Sequence, residues 1–447
     1  MNRQEFIDKL FARARQAGIE EFEAYFTCGD SFDVDVLEGE IKDYAVSSES
    51  GMCFRGVYGG KMGYASTQIE DEEAIEMLVN GVIDNATLLE TDEGESIFEG
   101  SGEYPVLNSY NPEIEKIPAA DKIALAKKME QLTKGKDKRV LRVDGCSVST
   151  SRGETRIVNS KGMDISHKGS RFGAVVVPVV GDGEKVNYGF SLRFSQNPEK
   201  VDIDAIAAKA VERAVEGLGA ESIESGSYRC IFRNDTAGTL LATFAGVFSG
   251  ESARKGMSLL KGREGEMIAS ECVTLTDNPL LEDAPGSSPF DCEGVACFGK
   301  DIIQSGKFVT LLHNRLTAKL LGTQTTGNAS KGGYSGKVTV APSNFYIVPS
   351  EKTPDEMMKD VENGILITDL MGMHSGANPI SGDFSLGAKG FLIENGVRTR
   401  PIEQFTVAGN FFNILKNIVS VANDLELEQS SVASPSLYVG EISVAGK

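Results

Sequence analysis

The sequence predicts an α+β protein in two parts. An N-terminal α+β domain over residues 1–225 sets helices against antiparallel sheets, and a mostly β C-terminal domain with a few helices covers 226–447. Three observations carry this reading. Apolar residues recur at helical spacing four times in the first half, each time beside strand-like runs. The order helix, strands, helix occurs twice, over 1–103 and again over 119–220, which points to an internal duplication. The C-terminal half is punctuated by glycines, as at 372, 376, 382, 387, 390 and 396, each costing roughly 1 kcal/mol against alanine in a helix interior.

Taken in order, an amphipathic helix over Arg3–Gly18 leads to strands near Phe22–Thr27, Phe32–Leu37 and Met52–Tyr58. A second helix follows over Asp71–Leu89. After a connector rich in Pro, Asn and Ser (Tyr104–Pro118), a helix over Ala119–Lys134 precedes strands near Val140–Ser147, Arg156–Asn159, Phe172–Val180 and Asn187–Arg193. A helix over Asp204–Leu218 closes the unit. The fragments Gly39–Met52 and Gly153–Met163 look alike, as two copies of one unit would. Paired helix–sheet–helix units place helices on one face of antiparallel sheets. GVYGGKMG at Gly56–Gly63 reads as a hairpin, since Met62 after its lysine rules out a phosphate loop.

A boundary near Ser225–Ser227 opens the second part. It starts with a strand over Tyr228–Phe232 and an apolar helix in the stretch Ala237–Gly256, and it ends in strands through Val439–Val444. Glu251–Gly265 reads as a surface loop, with a mobile segment meeting a partner or a substrate carboxylate as the alternative. Period-two alternation at Phe384, Leu386 and Ala388 suggests a strand, and Asn395-Gly396 a hairpin turn. The simpler account of Gly372–Gly396 is a tightly cornered sheet. The sharper one is a wall whose free backbone amides hold an extended peptide by strand addition.

Composition narrows the function. A net charge of −20 argues against direct binding of nucleic acid, which needs clustered Lys and Arg. No Lys or Arg occurs from Met62 through Glu115, where Glu70, Asp71, Glu72, Glu73, Glu90, Asp92, Glu93 and Glu95 crowd together. This reads as a solvated helix face and loop, with attraction for a basic partner as the lesser alternative. No apolar run reaches the ~18 residues of a membrane span, and the first residues do not resemble a signal peptide. Seven irregularly spaced cysteines suggest reduced thiols in a cytoplasmic protein.

The chemistry-bearing residues are sparse. The three histidines are His167, read as lying in a solvated turn, His313, read as packed at a helix edge, and His374, the best functional candidate. Cys292 and Cys297 have no nearby histidine and make a poor metal site. His374 and Ser375 with Asp383 invite a triad reading, but neighbours on a strand point to opposite faces. No G-x-S-x-G elbow or dinucleotide fingerprint is present.

Several segments, in order, resemble the TldD/PmbA family, and its PmbA (TldE) branch in particular. They are Ala237–Gly256, Asp291-Cys292-Glu293-Gly294, Thr317–Ser330, Pro342-Ser343-Asn344 and Gly372–Gly396. The resemblance implies a cytoplasmic, zinc-dependent peptidase system acting on small or unfolded peptides, in which TldD-like and PmbA-like subunits work together. The TldD branch carries His-Glu-x-x-x-His on the helix corresponding to Ala237–Ser249, with a further ligand near the C-terminus. Here Ala242, Thr243 and Val247 occupy those positions, and none can hold zinc or take a proton from metal-bound water. The chain is therefore expected to hold no metal or cofactor, with zinc in a TldD-like partner, and to form a heterodimer or a homodimer. His374, Ser375, Asn378 and Asp383 are the expected groove-facing residues. The alternatives are a regulatory interaction protein, matching the family's older description as a modulator of DNA gyrase, and a stand-alone hydrolase of unrecognised mechanism.

Overall fold

The structure is a computed structural model and describes residues 1–90 and 94–447. Asp92 and Glu93 of the acidic interval lie outside the described residues. The architecture is α+β, with a sheet-rich C-terminal region.

The N-terminal region runs α1 (Arg3–Gln16), β1 (Glu21–Leu37), β2 (Glu40–Tyr58), β3 (Lys61–Thr67), α2 (Glu72–Leu88), a short turn of helix α3 (Glu113–Lys116), α4 (Ala119–Lys136), β4 (Val140–Asn159), β5 (Asp164–Asp182), β6 (Lys185–Tyr188), β7 (Ser191–Ser195) and α5 (Ile203–Glu216). Its strands form one antiparallel sheet in the order β3-β2-β1-β4-β5-β6, with β7 also on β5. The order is symmetric about the β1–β4 ladder, where Gly29 pairs with Gly153. Phe22, Ala24 and Phe26 pack under α1 and α2, while Phe32, Val34 and Val36 join the core beside α4 and α5.

The strands are longer than the sequence suggests. Phe22–Thr27 and Phe32–Leu37 are one strand, and Gly39–Met52 continues into β2 rather than preceding it. Nearly all of Glu40–Ser50 is exposed, so no apolar alternation marks the strand; its pairing with β1 holds it extended. His167, expected in a solvated turn, sits half-buried within β5 opposite Thr155, its ring edge-on to Phe290. The acidic face is only partly solvent-paired, because α1 answers it: Arg3 bonds Glu70, Lys9 Glu72 and Arg13 Glu76 at 2.7, 2.8 and 2.6 Å.

The C-terminal region begins with β8 (Gly226–Phe232), α6 (Asn234–Phe244), a 3₁₀ turn (Ala245–Phe248) and α7 (Gly250–Arg254). The expected continuous helix to Ser249 therefore tightens after Phe244. There follow β9 (Leu275–Asp277), β10 (Lys300–Gln304), β11 (Lys307–Phe308), α8 (Arg315–Leu321), β12 (Ala329–Ser330), β13 (Thr339–Val340), β14 (Phe345–Ile347), α9 (Pro354–Val361) and β15 (Gly364–Met371). The chain ends with α10 (Met373–Gly376), β16 (Asp383–Glu394), β17 (Val397–Asn410), α11 (Phe411–Asn417), β18 (Ser420–Val421), β19 (Val432–Ala433) and β20 (Leu437–Ala445).

The main C-terminal sheet, β17-β16-β15-β8-β20, closes on itself because β17 also pairs with β20. Within this sheet the described β8 and β15 pair in parallel and the other ladders are antiparallel. Leu240, Leu241, Phe244, Val247 and Phe248 pack into its core, as their helical spacing leads one to expect. Asn395 and Gly396 both take positive φ, 53° and 76°, as a tight hairpin turn requires. Gly390 lets β16 approach β15 closely, since a side chain there would collide with the Leu366 carbonyl. β16 is bonded on both sides, which fits the simpler reading of a cornered sheet and not the alternative of a free peptide-holding wall there. No helix among the described residues is long and apolar enough to cross a membrane.

Candidate functional site

The best-formed cleft, about 570 Å³, opens where α5 and the β6–β7 turn meet α6, β15 and β16. Three arginine–carboxylate contacts shape it. Arg233, at the N-cap of α6, grips Asp235 through Nε and Nη2, both at 2.8 Å, and donates from Nη2 to the Thr368 carbonyl at 2.9 Å. Arg213 of α5 reaches the same carboxylate at 3.0 Å and donates to the Phe190 carbonyl at 3.1 Å. One carboxylate thus ties two arginines, two helices, the β6–β7 turn and the rim of the barrel. Burial opposes ionisation of Asp235, but Arg233 and Arg213 outweigh it and hold its carboxyl below the usual range.

Further charges ring the cleft. Glu216 bonds Arg398 at 2.9 Å and Glu426 bonds Lys209 at 2.6 Å. Lys389 meets Glu403 at 3.3 Å and lies over the Tyr188 ring. Tyr188, Phe190 and Phe391 supply apolar wall. Among the described residues, no histidine or cysteine lines this cleft.

Ala242 lines the cleft from the exposed side of α6. Thr243 spends its hydroxyl on the Thr239 carbonyl at 2.8 Å. Val247 is not on the α-helix at all; it is 1% exposed in the core, on the 3₁₀ turn. A metal does not fit here: the three positions supply a methyl group, an engaged hydroxyl and a buried isopropyl group. Among the described residues, no group of three or more His, Cys, Asp or Glu could hold a metal.

His374, Ser375 and Asn378, on the exposed connection between β15 and β16, and Asp383, the exposed first residue of β16, lie outside the cleft. His374 and Ser375 sit in α10, not on a strand, because Gly372 at φ 84° turns the chain into a helical turn. Asn378 Oδ1 accepts from the Ile380 and Ser381 amides at 3.0 and 3.2 Å. Asp383 accepts from Asn410 and Ser381 at 2.9 and 2.8 Å, which holds its carboxyl below the usual range. These bonds shape the loop, and no hydrogen bond joins His374, Ser375 and Asp383 into a triad among the described residues.

His313 is buried immediately before the N-cap of α8, with Nδ1 3.2 Å from Thr317 Oγ1; burial lowers its pKa to about 4. The Asp291–Gly294 element forms a buried turn against the N-terminal sheet. Asp291 accepts from the Glu293, Val295 and Ala329 amides at 2.9, 3.0 and 3.0 Å. Burial, then the nearby Glu293, push its pKa up to about 7. Cys292 and Cys297 are buried free thiols, and burial raises that of Cys297 to about 12.

The cleft residues Arg213, Arg233, Asp235, Asp369 and Lys389 escaped the sequence reading. One signal was available: Arg233-Asn234-Asp235 is a charged cap directly ahead of the apolar helix.

Profiles of a PmbA/TldA metallopeptidase domain 1, central domain and C-terminal domain match residues 22–86, 112–218 and 225–446. Metalloprotease PmbA of Escherichia coli O157:H7 is 28% identical over 423 residues, covering 93% of this chain and 90% of that protein. A crystal structure from Thermotoga maritima, of a candidate modulator of a DNA gyrase, superposes with a TM-score of 0.92 at 30% identity, covering 99% of this chain and 100% of that one. TldE from Thermococcus kodakarensis shares the fold, with a TM-score of 0.89 at 24% identity and coverage of 99% and 100%. With profiles of one family matched along its length, the chain belongs to the PmbA/TldD family.

Proposed function

We propose that this chain is the PmbA/TldE-like subunit of a cytoplasmic metallopeptidase acting on small or unfolded peptides, and that it encloses substrate without cleaving it. Zinc then resides in a TldD-like partner, bound as a heterodimer or higher assembly, with a homodimer as the alternative assembly. The observation that carries this reading is the cleft against α6. It is large enough for several peptide residues and offers apolar walls with paired charges, while Ala242 and Thr243 supply from α6 neither a zinc ligand nor a base. The names of the relatives support the peptidase context. The symmetric sheet supports reading residues 1–225 as one unit duplicated over 1–103 and 119–220, with 226–447 as the second. His374, Ser375, Asn378 and Asp383 would form an outer rim facing the partner or the entering peptide.

The test is cleavage of an unstructured peptide library, with zinc measured in the same samples, for the chain alone and mixed with a TldD-like subunit. Turnover and zinc only in the mixture is the expected result. Reproducible cleavage by the metal-free chain alone would overturn the proposal.

A further inference from the structure

Four carboxylates line the cleft, and three are already neutralised: Asp235 by two arginines, Glu216 by Arg398 and Glu426 by Lys209. Asp369 is the exception; among the described residues it makes no ion pair. Lys389, on the neighbouring strand, pairs with Glu403 instead.

The backbone places Asp369 there by a specific device. Ile365 and Ile367 of β15 point into the barrel core, and regular alternation would send residue 369 after them. The β15–β16 register instead shifts between Ile367 and Asp369, a bulge at Thr368. The core position passes to Leu370, and Thr368 and Asp369 both face the cleft. A half-buried carboxylate without an ion pair is costly: burial raises its pKa, and Lys389, opposite it in the ladder, with Arg233 offsets this only in part. Such a group is most stable when a cationic donor enters beside it.

We propose that Asp369 binds an ammonium group of the peptide, with the amino terminus as its source. The inference rests on the reading of the cleft as a peptide site and adds which end of the peptide lies there. Tyr188 and Phe190, 52% and 40% exposed, offer apolar surface for the side chains that follow. The arginines do not compete for orientation, since Asp235 already holds both. A peptide entering the opposite way round would set its carboxylate against Asp369 and be repelled.

The test uses a hexapeptide of Leu, Ala and Gly carrying a fluorophore at its C-terminal end, with its amino terminus free or acetylated. A third, acetylated version carries one lysine. Anisotropy is measured with the full chain, alone and mixed with a TldD-like subunit. The free-amine peptide should bind about tenfold tighter than the acetylated one, and D369N should remove the difference. Recovery by the acetylated lysine peptide, lost again in D369N, would uphold the ammonium site and make a side chain its source. Equal binding of all three peptides would overturn the inference and leave the peptide-site reading standing. No binding of any peptide, with or without the partner subunit, would overturn both. If D369N does not fold, the acetylation comparison on the unaltered chain still decides.

Discussion

Arg55 and Arg213 both reach from the N-terminal sheet unit toward a carboxylate of the C-terminal region, in opposite surroundings. Arg55 on β2 is 2% exposed. It donates to Glu23 Oε1 at 2.8 Å and stands 3.9 Å from Glu293, while the other oxygen of Glu23 is buried without a hydrogen-bond partner. Arg213 is 17% exposed and shares Asp235 with Arg233 at the lip of an open cleft. At Glu23 burial outweighs the attraction of Arg55 and pushes the carboxyl pKa up, so the set registers the sheet on the Asp291–Gly294 turn more than it stabilises it. The set at the cleft is well bonded and partly exposed, so it holds the shape of the cleft at a smaller cost in solvation.

The largest expected effect tests the buried set. Arg55→Ala leaves Glu23 and Glu293 uncompensated and should cost about 3–5 kcal/mol in urea unfolding. Replacing both partners, Glu23→Gln with Arg55→Met, should recover most of that loss. A double variant as unstable as the single one would show that the charge itself supports the fold. Next, Asp235→Asn frees two arginines at the cleft and should cost about 1.5–3 kcal/mol, with weaker peptide binding measured by anisotropy. Stability lost without any change in binding would separate the cleft from function.

A smaller effect concerns pH. Asp291 has a folded pKa of about 7, above its ordinary value of 3.8, so the native state holds its proton more tightly than the unfolded chain does. Its contribution is fully present below about 3.8 and is lost as pH rises through about 7. Melting temperatures from pH 4 to 7.5 should fall more steeply with pH in the unaltered chain than in Asp291→Asn. Parallel curves would exclude Asp291 as the source. The smallest effect is at the outer rim: His374→Ala should change stability by less than about 0.5 kcal/mol and lower hexapeptide affinity by no more than about twofold. A clear loss of affinity would move the binding site outward, to the loop between β15 and β16.

The same contrast explains what could be read in advance. Phe244, Val247 and Leu386 declare themselves by spacing, because a core imposes its period on the sequence. Asn395-Gly396 declares its turn because few other pairs accept two positive φ angles. Residues 40–50 of β2 declare nothing, since both faces meet solvent and only the pairing with β1 holds them extended. The cleft was least legible. Arg213, Asp235 and Asp369 are far apart in sequence and meet only where α5 packs beside the β8–β15 pair, and a bulge aims Asp369 against the strand's own alternation. His374 drew notice for its rarity, but its short helical turn carries it to the surface.

The closure of the barrel also governs how the protein is made. β8 opens the C-terminal region, yet its partner β20 is the last strand of the chain, and β17 waits on the same partner. Closing so long a loop precedes any reward from its contacts. During synthesis the N-terminal sheet can be complete while α6 still lacks its finished support. A subunit proposed to receive unfolded peptides would itself carry an unclosed barrel until β20 has left the ribosome. Loss of Leu437–Ala445 would leave it in that state.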